Sequence, residues 1–222
     1  MHKIAAIAIV AGLTPLAGWQ GAHAQSGGLG PAEVGAPKGP AAVSRFTTLE
    51  LERCRRVSSD PQGGRWTCPG LPGFDIAFGE GDLRQFIGYG KNAKSQRATT
   101  QTLGPFNSIF KGSADRTTIE WRGQMKAGRF EPFATIIRYH TDTGDDGNGQ
   151  RQRGQVLVVS RLGPSNGNDA CHVAYIDALA NKDANAVAET SADDSARSFD
   201  CKHSPARIGE KGKSPMAGKL RT

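Results

Sequence analysis

Gln155-Val156-Leu157-Val158-Val159-Ser160-Arg161-Leu162 contains four consecutive aliphatic residues with no polar residue between them. A strand with one wet face alternates apolar and polar residues, whereas a run apolar at both parities has both faces covered. Residues 155–162 are therefore expected in the middle of a sheet that carries a layer on each side.

The neighbouring segments extend this sheet. Cys171 to Asp177 and Phe133 to His140 are similarly apolar, and Thr118 to Arg122 is a shorter strand ahead of them. Turn-rich connections separate these runs, which favours an antiparallel meander over crossover units. Earlier in the chain, Thr47 to Arg55 sets Leu49 and Leu51 against Glu50 and Glu52, the pattern of a half-buried strand. Arg65 to Cys68 answers it across the turn Asp60-Pro61-Gln62-Gly63-Gly64. Phe74, Ile76 and Phe78 share a face, and Gly79-Glu80-Gly81-Asp82 turns the chain into Leu83 to Tyr89. From Gly90 to Thr117 the pattern weakens into a long excursion pinned by Leu103, Phe106, Ile109 and Phe110.

A single helix follows the strands. Ala184, Val187, Ala188, Ala192, Ser195 and Phe199 recur at three- and four-residue steps behind Asp183, a residue suited to an N-cap. Its small inner residues would let it lie close to the sheet. The expected class is α+β: a twisted antiparallel sheet with one C-terminal helix, two disulfides, and disordered N- and C-terminal tails.

The ends of the chain bear on its compartment. Lys3, the apolar run Ile4 to Val10 and the small-x-small triplet Ala22-His23-Ala24 have the form of a secretory signal peptide over residues 1–24. Gln25 follows, so there is no lipobox cysteine to acylate. No later stretch approaches the ~20 apolar residues of a membrane span, so no transmembrane segment is expected. Residues 25–45 and 202–222 are poor in residues to bury and read as a disordered leader and a disordered basic tail. Residues 46–201 then form one disulfide-stapled domain of a periplasmic or secreted protein.

Charge follows the same division. The chain carries +7, yet residues 46–201 hold nineteen basic and nineteen acidic side chains, and most of the excess lies in the tail. A neutral body argues against a groove built for nucleic acid, and a basic tail suggests at most weak contact with anionic surfaces. Four cysteines in an oxidising compartment imply two disulfides, for which three pairings exist. Cys54 with Cys68 and Cys171 with Cys201 is the local solution.

Two recognisable catalytic motifs are missing: there is no H-E-x-x-H and no glycine-rich phosphate loop with its lysine. Cys171 beside His172 is expected to be a disulfide cysteine, since adjacent strand residues face opposite sides. Cys171, His172, Cys201 and His203 lack the paired spacing of a zinc site, so neither metal nor cofactor is expected. The loop Asp142-Thr143-Gly144-Asp145-Asp146-Gly147 faintly resembles a calcium loop, but Gly144 and Arg153 stand where ligands belong. It reads better as a hairpin tip. Asp142, Asp145 and Asp146, with Asp82 and Arg84 flanking another turn, are the candidate binding residues, since rigid strands present binding groups on such loops.

Several of these residues form a joint pattern. Cys54, Trp66-Thr67-Cys68-Pro69-Gly70, Gly81-Asp82-Leu83-Arg84 and Tyr89-Gly90 are its first half. Pro132-Phe133-Ala134-Thr135-Ile136-Ile137-Arg138, Cys171-His172-Val173-Ala174-Tyr175-Ile176-Asp177-Ala178 and Phe199-Asp200-Cys201 are its second. The pattern resembles a group of uncharacterised exported proteins of alphaproteobacteria. The resemblance implies one domain with this cysteine arrangement and carries no function; the aspartate-rich loop and the basic tail fall outside it.

The function expected from the sequence is a non-enzymatic, inhibitor-like or binding module that meets an envelope or extracellular macromolecule, protein or glycan. One alternative is an envelope hydrolase acting on cell-wall material through some pair among Asp75, Glu80, Asp82, Glu120, His140 and Asp177. The other is a structural envelope protein anchored by its basic tail.

Overall fold

The computed structural model describes residues 41–61, 63–90, 103, 106–144, 147–163, 170–203, 207–208 and 214–215. They belong to one compact unit, Gly39–Thr222. The expected signal peptide and most of the expected leader lie outside the described residues. So do Asp145 and Asp146.

The chain enters as β1 (Val43–Glu50), makes a 3-10 turn at Leu51–Arg53, and builds a four-stranded sheet. That sheet comprises β2 (Arg55–Asp60), β3 (Gly63–Pro69), β4 (Asp75–Gly81) and β5 (Arg84–Gly90), paired in chain order. The remaining strands are β6 (Phe106–Ser108), β7 (Arg116–Lys126), β8 (Arg129–Asp142), β9 (Arg153–Arg161), β10 (Cys171–Asp177) and β11 (Arg207–Ile208). With β1 they form a larger sheet ordered β1-β7-β8-β9-β10-β11, and β6 pairs with β8 beyond the last β7 pairing. The helix α1 (Ala184–Ser195) runs between β10 and β11.

β9 explains why two cores exist. Val156 and Val158 point into a core shared by the two sheets, with Ile137, Tyr139, Tyr175, Ile76, Phe78 and Trp121. Leu157 and Val159 point the other way, onto Ala184, Ala188 and Ala192 of α1. All four are at most 3% exposed. Burying each contributes about 1.5–3 kcal/mol, enough to hold a layer on either side. Both disulfides serve this arrangement: Cys54–Cys68 ties the 3-10 turn to β3, and Cys171–Cys201 ties β10 to the segment after α1.

Four expectations need correction. The single meander is two sheets, because the strand expected over Thr47–Arg55 breaks at Leu51. There the Leu51 N–H bonds the Asp115 carbonyl (2.8 Å) and the Cys54 N–H bonds the Leu51 carbonyl (3.0 Å), sending the chain into the second sheet. The leader ends early: Val43, Ser44 and Arg45 already pair with Gly123, Arg122 and Trp121. The tail is not wholly free, since Arg207–Ile208 pairs parallel with Ala174–Tyr175 and Ser214 is buried. On α1, Val187 is 37% exposed, and the Asp183 side chain makes no capping bond. The buried row is Ala184, Ala188, Ala192 and Ser195, small enough to bring the helix onto the sheet.

Candidate functional site

The turn between β4 and β5 is a two-residue hairpin loop in which Asp82 has φ 51° and Leu83 φ 59°. Both central residues are left-handed, a conformation that Asn-Gly adopts at little cost. A leucine held there costs about 1–2 kcal/mol, and its side chain is 67% exposed. The hairpin is braced against β6: the Leu83 carbonyl accepts the Asn107 N–H (3.3 Å) and Asn107 Oδ1 accepts the Gln85 N–H (3.1 Å). Gln85 Oε1 accepts the Ile109 N–H (2.7 Å) and the Ser108 hydroxyl (3.0 Å).

The facing wall is the β8–β9 hairpin. Thr143 and Gln152 close its loop through N–H bonds of 3.0 Å in both directions. At the base, Asp142 accepts the Gly144 N–H (2.8 Å) and meets Arg151 Nε (3.4 Å) and Arg153 Nε (3.5 Å). Gly144 lies at φ 74° against the Phe106 ring, which leaves no room for a β-carbon. Glycine there satisfies both the backbone and the ring.

Between the two hairpins lies a groove of about 830 Å³. Its lining contains Arg84, Lys111, Arg151 and Arg153 against the carboxylates of Glu80 and Asp142. Asp142 is already shared by two arginines, and Glu80 accepts a bond from Gln85 Nε2 (3.1 Å). Arg84 Nε is buried without a hydrogen-bond partner, and its Nη2 lies 3.8 Å from Asp82. Burial, with Arg138 and Lys111 nearby, lowers the pKa of His140, which disfavours the charged form of this lining imidazole. The groove is electropositive, and its rim carries Leu83 and Leu179, the latter 43% exposed.

Of the binding residues expected from sequence, Arg84 and Asp142 come together in this groove although they are far apart in the chain. Asp82 stands on the turn beside it, 88% exposed at its side chain. Asp142 does not present a free carboxylate, and no group of three His, Cys, Asp or Glu is placed to hold a metal among the described residues. Of the side chains offered as parts for a hydrolase, Glu80 and His140 line the groove, whereas Glu120 lies beside Arg122 (3.8 Å) where Arg122 meets Asp193 of α1. Asp177 is 1% exposed and accepts bonds from Leu179 N–H, Ala180 N–H and both donors of Ser214.

Sequence reading missed Lys111, Arg151, Arg153 and Leu83 as site residues. Arg151 and Arg153 flank the aspartate-rich loop, and their opposite charge was the available signal. Leu83 left none, because its significance is a backbone angle. No protein-family model, curated protein or solved structure matches this chain.

Proposed function

We propose that this chain is an exported, non-enzymatic binding module that holds an anionic macromolecular partner in the groove between the β4–β5 and β8–β9 hairpins. The observation that carries the reading is the convergence of Arg84, Lys111, Arg151 and Arg153 on one groove whose lining holds only two carboxylates, Glu80 and Asp142. A surplus of cations in a concave site attracts anionic ligands and is sensitive to ionic strength. Export is supported by the disulfide pairing of all four cysteines. Among the described residues, no helix is long and apolar enough to cross a membrane.

The test immobilises the oxidised full chain and offers it an envelope extract, with a reduced and alkylated sample as control. An anionic component should be retained by the oxidised form, elute with salt, and be lost from an Arg84→Ala/Arg153→Ala variant. Equal retention by the reduced sample, or by the variant, would remove the reading.

A further inference from the structure

We infer that the ligand of this groove is an acidic peptide segment bearing apolar side chains. Its carboxylates would meet Arg84, Arg151 and Arg153, and its hydrocarbon would lie against Leu83 and Leu179. This rests on the anionic-partner reading of the same groove and narrows it to one chemical class.

The hydrogen-bonding capacity of the lining points away from a glycan. A sugar presents hydroxyls, which are recognised by amides and carboxylates free to bond them. Here Gln85 is spent on Glu80, Ser108 and Ile109, and Asn107 on the Gln85 N–H and the Leu103 carbonyl. Gln155 Oε1 accepts Arg138 Nη1 (3.1 Å). Those amides are therefore engaged within the protein, and beside the Glu80 carboxylate and the His140 ring the groove offers its ligand cations and hydrocarbon.

The cations are arginines for the most part, and a guanidinium matches a carboxylate through paired N–H donors. In Arg151 and Arg153 it is Nε that meets Asp142, at 3.4 and 3.5 Å.

The hydrocarbon is held in place against local preference. Leu83 keeps a large apolar side chain 67% exposed at φ 59°, where asparagine or glycine relieves the backbone. Costly backbone geometry concentrates at sites of function. An apolar contact from the ligand gives this leucine a use that a solvent-facing turn does not.

The experiment measures fluorescence polarisation with the oxidised full chain and a labelled peptide alternating Glu and Leu. Three further probes are an all-Glu peptide of equal length, dextran sulfate, and phosphatidylglycerol vesicles. The Glu-Leu peptide should bind best, and removing its leucines should weaken it about tenfold, the effect of one well-buried aliphatic side chain. Arg84→Ala/Arg153→Ala should weaken it by about tenfold or more, as lost charged hydrogen bonds do. Leu83→Asn should weaken binding while raising the urea midpoint, a combination that a purely structural leucine would not give.

If dextran sulfate or the vesicles bind through Arg84 and Arg153 and the peptides do not, the peptide inference fails and the anionic-partner reading stands. Binding of the two peptides with equal affinity, or unaltered affinity in Leu83→Asn, removes the apolar half of the inference. If no anionic probe binds, or binding ignores the arginine substitutions, inference and reading fall together.

Discussion

His172 shows how a single backbone irregularity sets a residue's environment. Along β10 the register with β9 shifts between His172 and Ala174. The resulting bulge brings residues three apart onto one face. His172 Nδ1 therefore lies 2.8 Å from the Tyr175 hydroxyl in the buried interior, while Cys171 packs on the helix side. Burial pushes the His172 pKa down from 6.5 to about 4. Below pH 6.5 the unfolded chain takes up a proton that the native state refuses, so native stability falls with pH until about 4. The loss between pH 7 and pH 4.5 should approach about 2 kcal/mol from this residue. His172→Gln, whose amide can still bond the Tyr175 hydroxyl, should show a shallower decline in urea unfolding over that range. Identical slopes would mean that His172 does not resist protonation.

One cation adds a charged anchor to the alanine packing of α1. Arg122 on β7 is 7% exposed and meets Asp193 through Nε (3.0 Å) and Nη2 (2.5 Å), and Glu189 through Nη1 (3.3 Å). Nη1 also donates to Ser44 of β1 (2.6 Å), so one side chain joins the helix to two strands. Glu120 is the third carboxylate in this cluster. Burial raises its pKa, the Ser44 hydroxyl bond opposes the rise, and Glu189 adds to it. A carboxyl raised in the native state contributes stability in acid and loses it as pH passes upward through the folded pKa. Glu120→Gln should therefore stabilise the protein modestly at pH 7, since it removes a charge that burial and then Glu189 disfavour. The gain should vanish below the ordinary carboxylate range. A loss at pH 7 would mean that Glu120 is needed as an anion by Arg122. The helix itself was legible in the alanine spacing. Its anchoring was not, because Arg122, Glu189 and Asp193 are ordinary surface residues until a strand and a helix bring them together.

At the scale of the molecule, the C-terminal segment closes the fold. Ser214 N–H and Oγ each lie 2.6 Å from Asp177, and Oγ also bridges Gln155 N–H (2.9 Å) and carbonyl (3.1 Å). Gly154 has no β-carbon because Ser214 occupies the space. Ser214→Ala should cost about 1–3 kcal/mol in urea unfolding, because it leaves a buried carboxylate and a backbone N–H short of a partner. A tail lying free of the fold would give no change. The periods of apolar residues along the chain were enough to mark the central strand 155–162, its partner 171–177 and the alanine face of α1, and spacing along the chain favoured the local cysteine pairs among the three possible. Those features depend on neighbours within one element or across one turn, and the order of side chains records them directly. The division into two sheets, the parallel β10–β11 pair and the groove were decided only by the folded chain. Alternation tells which face of a strand is apolar but not which other face will cover it. The meeting of Arg84 with Arg151 and Arg153, from hairpins far apart in sequence, follows from that choice of cover.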